Sequence, residues 1–358
     1  MTIDFNDIIH GERGKLLQLL PKGSRSFCSA GCAGTWYFEW VKENYGSVDR
    51  HYGVELYSPK PHNLPSYATW IENSVSDMHD VPSATIDMLF SGQNIEHLYR
   101  DDLEGFLREA NRVVTPGGYF CMDSPNRAVT QELGYVQPQH VLELTVDEAC
   151  ELVGAAGFSV ENVYGIWSCG TDTKRYASVT EFASEDEVAD RCALARNDPS
   201  RSFIWWIVAR RTGPVSDDLT EITERIMANA FPAFVRARFR KLIGRIKAIE
   251  GSEAIVSVGS HEHGCVFYGP YIPLVKGDYL AEFMVKFHDT SGFISVDTAC
   301  SRGEAVLSRM EVPATNIGAW TRIEMEFSLP DYTDTIETRL IAHGAHFDVR
   351  LGSQILRV

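Results

Sequence analysis

The first strand-like run of the chain ends in a turn made of small residues. This run, residues 26–30, is followed by the turn 31–34 with the sequence Gly-Cys-Ala-Gly, and a helix-like run then begins. A glycine-rich turn between strand and helix lets a ligand approach the backbone closely, because glycine has no Cβ atom. Glu55 closes the second strand-like run and has the spacing of a carboxylate that hydrogen-bonds a ribose diol. Asp77 follows the third run and is placed to accept from an adenine amino group. Together these residues indicate an adenosine-containing ligand.

The elements that would position these residues alternate between strand and helix signals. Apolar runs at 86–91 and 119–123 predict buried strands, and helical spacing at 101–114 and 145–156 predicts helices. Strands that alternate with helices imply an α/β fold with a parallel sheet covered by helices on both faces. Residues 1–212 are therefore predicted to form the first domain.

Longer motifs in this domain resemble those of class I S-adenosylmethionine (SAM)-dependent methyltransferases. The resemblance covers about residues 20–212 and is most specific over 107–127, LREANRVVTPGGYFCMDSPNR. It implies a Rossmann-like fold with SAM as cofactor, bound through the glycine turn, the acid after the second strand and the acid after the third. The cofactor-binding residues that it implies are Ser29, Ala30, Gly31, Cys32, Glu55, Asp77, Met78, Ser91 and Gly92.

Three positions in the glycine turn depart from the family pattern. Ser29 stands where the family has an acidic residue, and Ala33 and Thr35 stand where it has glycines. A serine cannot pair with the cofactor's ammonium group as a carboxylate would, and the two Cβ atoms would crowd the turn. The departures keep open an alternative reading, in which a degenerate methyltransferase fold binds a glycan or a partner enzyme without catalysis.

Methyl transfer is helped by a base that takes the acceptor's proton. His97, Asp123 and His140 are the candidate catalytic residues, because the loops after the fourth and fifth strands lie beside the sulfonium in this architecture. Glu96 could orient His97 and raise its basicity. No catalytic metal site is predicted.

The alternation of strand and helix signals ends near residue 212. Residues 213–250 are predicted to form a helical linker, with a basic amphipathic helix over 234–247 that either docks on a membrane surface or acidic partner or packs on a domain. Residues 251–358 contain short β-like runs about ten residues apart, which is typical of an antiparallel β-sandwich or jelly roll. This part looks like carbohydrate-binding modules of bacterial surface-polysaccharide assembly proteins. Tyr268, Tyr271 and Trp320 could stack on sugar rings, although Trp320 is expected in the core.

Composition limits the remaining possibilities. The net charge of −16 makes general nucleic-acid binding unfavourable, and no apolar run is long enough to span a bilayer. None of the eight cysteines is in a Cys-x-x-Cys pair, which suggests reduced thiols in a cytoplasmic protein. If the basic segment docks on a membrane, the protein would be peripheral at its inner face. The predicted function is SAM-dependent O-methylation of a sugar or growing surface glycan, with polysaccharide-assembly proteins as further partners. The sequence does not indicate an oligomeric state.

Overall fold

A computed structural model describes residues 4–135, 137, 140–171, 174–175, 179–236, 239–250, 253–274, 276–331 and 333–358. The chain divides into two compact units, of which the first comprises residues 1–135 and 142–228 and the second residues 136–141 and 229–358. Within the described part of the chain, no helix combines the length and apolar character that a membrane crossing needs.

The first unit alternates helices and strands, as the sequence predicted. Helix α1, which the sequence analysis did not assign, precedes the first strand. The elements in chain order are α1 (Phe5–Leu19), β1 (Ser26–Ala30), α2 (Thr35–Asn44), β2 (Arg50–Glu55), β3 (Ala68–Glu72), β4 (Ile86–Gly92), α3 (Arg100–Val113), β5 (Val114–Pro125), α4 (Arg127–Leu133), α5 (Val146–Ala155), β6 (Phe158–Ser168), β7 (Gly170–Thr171), β8 (Lys174–Arg175), α6 (Glu185–Asn197), β9 (Ser202–Arg211) and α7 (Leu219–Arg236).

Seven strands form one sheet in the order β3-β2-β1-β4-β5-β9-β6. Strands β1 to β5 are parallel, which confirms the Rossmann-like α/β prediction. The prediction of a parallel sheet does not hold for β9, which runs antiparallel to both β5 and β6. Residues 202–209 of β9 are all buried. An apolar run of this kind indicates that both faces of the strand are covered, but it does not indicate whether the strand runs parallel or antiparallel to its neighbours.

Local sequence explains where several of these elements begin and end. Thr145 caps α5 in a capping box with Glu148, so the predicted start of this helix is confirmed. The Thr-Pro-Gly-Gly sequence after α3, residues 115–118, forms an irregularity inside β5, where the register with β4 shifts between Ile86 and Met88. Gly117 has a φ of 79°, which a residue with a side chain rarely adopts.

The second unit consists mainly of antiparallel strands. One sheet has the order β10-β13-β18-β15-β16, and the other has the order β11-β12-β19-β14-β17, with β20 also paired to β14. In β14, Tyr279, Ala281, Phe283, Val285 and Phe287 are buried and alternate with less buried residues, as predicted. The strands are β10 (Arg240–Lys241), β11 (Arg245–Glu250), β12 (Glu253–Val258), β13 (His263–Leu274), β14 (Gly277–Phe287), β15 (Phe293–Cys300), β16 (Ala305–Pro313), β17 (Thr321–Leu329), β18 (Thr333–His343), β19 (Phe347–Arg350) and β20 (Gln354–Arg357).

The basic helix predicted over residues 234–247 is wrong. Helix α7 ends at Arg236, and the basic residues that follow lie in the strands β10 and β11, apart from Arg238, which falls outside the described residues. Gly244 has a φ of 79°, and a Cβ atom there would lie 2.7 Å from a Val256 methyl group. This left-handed turn ends any helix before residue 245. A docking role for an amphipathic helix at 234–247 therefore loses its structural basis.

Candidate functional site

The predicted cofactor residues lie along one edge of the first sheet, at the carboxyl ends of its parallel strands. Ala30 is in register with Val54 on one side and with Ser91 on the other. Glu55 ends β2 opposite Glu72, and Gly92 ends β4 opposite Asp123. Ligands of open α/β sheets bind at this edge. The register thus brings together residues from five strands that are distant in sequence.

The glycine turn after β1 is held against β2 and β4. Gly31 has a φ of 80°, and its N–H donates to the carbonyl of Val54 at 3.0 Å. A Cβ atom at Gly31 would lie 2.8 Å from Oδ1 of Asn94, whose Nδ2 donates to Ser91 Oγ at 3.2 Å. Asn94 was not predicted as a site residue, although its position two residues after β4 was a signal. Ala33 is exposed, and crowding of a ligand by Ala33 and Thr35 stays a prediction.

Ser29 does not present its side chain at this edge. Its Oγ lies 2.8 Å from Nε2 of His51, and both residues are buried. Burial lowers the pKa of His51 to about 3, so the imidazole is neutral. Cys32 is also buried, and burial raises the pKa of its thiol to about 12. A side-chain contact from either Ser29 or Cys32 to a ligand is therefore not supported, because both side chains belong to the core.

We expect His51 to make the stability of the protein sensitive to acid. Its pKa is lowered in the folded state, so the unfolded chain binds the extra proton first as the pH falls below the ordinary value of 6.5. As the pH is lowered from 6.5 to about 5, this difference in pKa should reduce the free energy of unfolding by about 2 kcal/mol. Urea unfolding across this range should show a shallower pH dependence for His51→Gln than for the wild type. The exposed His62, changed to Gln, is the control, and parallel profiles for all three proteins would contradict the prediction.

Glu55 is held in place by the loop that follows it. Its Oε1 accepts from the backbone N–H groups of Tyr57 at 2.9 Å and Ser58 at 3.0 Å. No hydrogen bond from a described residue reaches Oε2, and the side chain is only partly buried. One carboxylate oxygen is therefore fixed, while the other can accept from a hydroxyl group of a ligand.

Asp77 and Met78 follow β3 and differ in their exposure. The Asp77 side chain is 63% exposed, and its Oδ1 lies 3.0 Å from Nδ1 of His79. Met78 is fully buried, and its N–H donates to Glu109 of α3 at 2.7 Å. Asp77 can thus reach a ligand, whereas the backbone N–H and side chain of Met78 are both engaged within the protein.

Asp123, one of the predicted bases, forms a buried ion pair with Arg13 of α1. Arg13 Nε lies 3.0 Å from Oδ2, and Nη2 donates to Oδ1 at 3.1 Å. Gln93 Nε2 also donates to Oδ2 at 2.8 Å. Burial raises the pKa of Asp123, while the Arg13 guanidinium opposes that rise. Because both carboxylate oxygens are engaged, the structure favours a positioning role for Asp123 over that of a base.

The two histidine candidates differ in their exposure. His97 ends the short 3₁₀ turn Ile95–His97 and is exposed. Glu96 is buried and accepts from Ser124 Oγ at 3.0 Å. His140 is buried in the segment 136–141, which belongs to the second unit. The catalytic roles of both histidines stay predictions.

Comparisons with solved structures find similar chains at low identity. A SAM-dependent methyltransferase from Archaeoglobus fulgidus has 18% identity and a TM-score of 0.39, covering 53% of this chain and 87% of that one. One from Mesorhizobium loti has 17% identity and a TM-score of 0.37, covering 55% and 96%. N-methyltransferase NodS from Bradyrhizobium japonicum, in complex with S-adenosyl-L-homocysteine, has 12% identity and a TM-score of 0.39, covering 58% and 87%.

Sequence comparisons match the part of the chain that builds this edge. Residues 28–122 match the family described as "Methyltransferase domain". A Mycolicibacterium smegmatis protein named "Probable S-adenosylmethionine-dependent methyltransferase" is 35% identical over 117 residues. These residues make up 31% of this chain and 44% of that protein, so the chain spans less than half the length of this relative. Residues 28–122 are therefore similar to methyltransferase domains, and the relative that shares sequence with this chain is named as one that depends on S-adenosylmethionine.

Proposed function

We propose that this protein binds SAM along the carboxyl edge of β1 to β4 and transfers its methyl group to an acceptor. The observation that carries the proposal is the Glu55 carboxylate, fixed through Oε1 at the end of β2 and next to the strand that ends in the glycine turn. Glu55 would hold the ribose through Oε2, and Asp77 would accept from the adenine amino group. The residues present therefore fit an adenosyl ligand.

The chemistry needs little from the protein beyond positioning and removal of a proton. SAM supplies an electrophilic methyl group when it is bound. The chain's own residues orient the acceptor for in-line attack and take its proton. Among the predicted bases, His97 is exposed next to the end of β4 and is the candidate we favour.

We place the acceptor in the class of sugar hydroxyl groups, as the sequence suggested. The support comes from the second unit, where the rings of Tyr268 and Tyr271 are partly exposed and lie 5.8 Å apart. Aromatic rings of this kind can cover the face of a sugar ring. Trp320 is partly buried, and the guanidinium of Arg350 lies 5.4 Å from its ring centre. This contact takes up part of the surface that stacking would need.

The Glu55→Gln variant should bind SAM about 10- to 100-fold more weakly than the wild type, because a hydrogen bond to a charged acceptor is lost. Isothermal titration calorimetry measures the change directly. Glu72→Gln is the matched control: Glu72 ends the neighbouring strand and also accepts from a loop N–H, that of Lys60 at 2.8 Å. Its SAM affinity should change less than about twofold. Equal losses of SAM affinity in both variants would contradict the assignment of Glu55 to the ribose. If the wild type did not bind SAM at all, the proposed function would be refuted.

The acceptor class calls for a separate experiment. Incubation with methyl-labelled SAM and a panel of nucleotide sugars and oligosaccharides should yield labelled sugar product. Small phenols and amines form the comparison panel. If the methyl label were transferred only to compounds of the comparison panel, the proposed sugar acceptor would be refuted, but the proposed methyltransferase activity would be supported.

A further inference from the structure

The basic residues between positions 240 and 247 stay together at the surface, although they do not form the predicted helix. Arg240 and Lys241 make up β10, and Arg245 and Lys247 lie in β11, so we call residues 240–247 the basic turn. Arg240, Arg245 and Lys247 are exposed. The basic turn contains no acidic residue, in a chain whose net charge is −16. It is therefore a local concentration of positive charge on a negative protein.

Two aliphatic side chains are exposed within the same turn. Leu242 is 56% exposed and Ile246 is 54% exposed. Among the other large apolar residues that the structure describes in the second unit, only the last residue, Val358, is more exposed. Exposed aliphatic groups next to lysine and arginine are typical of surfaces that lie in the interface of an anionic lipid bilayer.

The fold holds the basic turn at the outer edges of two sheets. Among the described strands, β10 and β11 are each the outermost strand of their sheet. The N–H of Leu242 donates to the carbonyl of Val266 at 2.8 Å, and the N–H of Gly244 donates to Glu262 Oε1 at 3.0 Å. Lys241 Nζ donates to the carbonyl of Gly244 at 3.0 Å. A surface that is already ordered loses little conformational entropy when it binds a partner.

Most of the positive charge of the basic turn is not paired within the described part of the protein. Of its four basic residues, only Lys247 forms an ion pair with a described carboxylate, that of Asp348 at 2.8 Å. Glu262, which binds the turn, accepts from the backbone N–H groups of Gly244 and Gly259. The net negative charge of the chain does not prevent contact with an anionic partner, because exposed charges more than about 8 Å away are largely screened at physiological salt.

The composition of the basic turn favours a lipid surface over a protein partner. Protein–protein interfaces are enriched in aromatic residues and depleted in lysine. The basic turn has two lysines and no aromatic residue. Anionic lipids attract clusters of lysine and arginine, and aliphatic side chains add binding energy when they enter the boundary between headgroups and acyl chains.

We propose that the basic turn docks the protein on the surface of an anionic lipid bilayer. Leu242 and Ile246 enter the boundary between headgroups and acyl chains, while Arg240 and Arg245 lie beside the negative charges of the headgroups. The docking surface uses the predicted basic segment, but as two strands and a turn in place of a helix. This inference is independent of the proposed methyl transfer.

Flotation of the full chain with lipid vesicles tests the proposal. The wild type should bind phosphatidylcholine vesicles that contain about 30% phosphatidylserine at least about 100-fold more tightly than pure phosphatidylcholine vesicles, because each basic residue near an anionic surface adds attraction. Raising NaCl from about 0.1 M to about 0.5 M should weaken this binding, because salt screens the charges of the headgroups.

Two double variants separate the charged from the apolar contribution. Arg240→Gln/Arg245→Gln should bind the anionic vesicles about 30-fold more weakly than the wild type. Leu242→Ser/Ile246→Thr should bind them about 10-fold more weakly, because less apolar surface enters the bilayer. All four residues are exposed, so we expect both variants to keep the circular dichroism spectrum of the wild type.

The control variants change residues near the opposite edges of the two sheets, at β16 and β17. Arg302→Gln/Arg322→Gln removes two exposed basic residues, so its net charge equals that of Arg240→Gln/Arg245→Gln. Val306→Thr/Ile317→Ser removes apolar side chains that are 47% and 45% exposed. Both controls should bind the anionic vesicles within about twofold of the wild type, because screening limits the effect of distant charges.

Three results would overturn the inference. The first is equal binding of the wild type to the two kinds of vesicle. The second is that the variants of the basic turn bind the anionic vesicles as tightly as their controls do. The third is a wild type that does not bind vesicles but self-associates in analytical ultracentrifugation through residues 240–247, which would make the basic turn an interface between two copies of the chain.

Discussion

Replacing Asp123 with alanine should lower the free energy of unfolding by about 3 to 5 kcal/mol, because the guanidinium of Arg13 would remain buried without its counter-charge. The two side chains are 4% and 0% exposed, so water cannot replace the lost partner without opening the core. Urea unfolding followed by circular dichroism measures the change. The Arg13→Met/Asp123→Leu double variant should recover most of the loss, because it removes both charges together.

An exposed ion pair provides the control for this prediction. Asp289 is 49% exposed and lies 3.1 Å from His346. Its replacement by alanine should leave the urea midpoint almost unchanged, because an exposed ion pair contributes little to stability. If Asp123→Ala were as mild as Asp289→Ala, the Arg13–Asp123 pair would not be the anchor of α1 that the structure indicates.

Replacing Gly92 with alanine should lower the free energy of unfolding by about 3 kcal/mol, the upper part of the range for overpacking a core. The new Cβ atom would lie 1.9 Å from Arg13 Nη2 and 2.8 Å from Asp123 Oδ1. A flexible side chain could move aside, but this guanidinium is held by the buried carboxylate. The substitution therefore either breaks the ion pair or shifts the end of β4.

Gly11 is the matched control, since it lies in the same helix as Arg13 and nothing lies within 4 Å of its Cβ position. Gly11→Ala should raise the free energy of unfolding by about 0.5 to 1 kcal/mol, because alanine favours the helix more than glycine does. The two glycine substitutions are thus expected to have opposite signs. A neutral Gly92→Ala variant would mean that Arg13 is not fixed against the end of β4.

Much of the first unit could be predicted because its signals are local. The apolar run at 86–91 and the helical spacing at 101–114 identified β4 and α3 to within a residue or so. The direction of β9 could not be predicted, because it depends on pairing with β5 and β6, which no local pattern records. The prediction of a helix over residues 234–247 was wrong for a related reason. The charges of this segment suit a helix as well as an exposed strand, and Gly244 decides between them only through its left-handed conformation.

The positions of Gly31 and Glu55 at the carboxyl edge of the sheet could be predicted, because they depend on position along a strand, while their cofactor roles stay predictions. Features of the site that depend on packing could not be predicted. Ser29 alternates with its neighbours along β1, and only the three-dimensional structure shows its hydroxyl directed to His51. The sequence did not indicate a role for Arg13, because its partner Asp123 lies 110 residues further along the chain. Contacts of such separation leave no periodicity in the sequence.

The position of β9 between β5 and β6 also sets an order of events during synthesis on the ribosome. The family match ends at residue 122, inside β5, yet β5 gains its second neighbour only when residues 202–211 have emerged. Until then the nascent chain carries an open strand edge, which is prone to pair with other chains. A fragment cut to the matched region would keep that edge permanently, so the recognisable segment is not a self-sufficient folding unit.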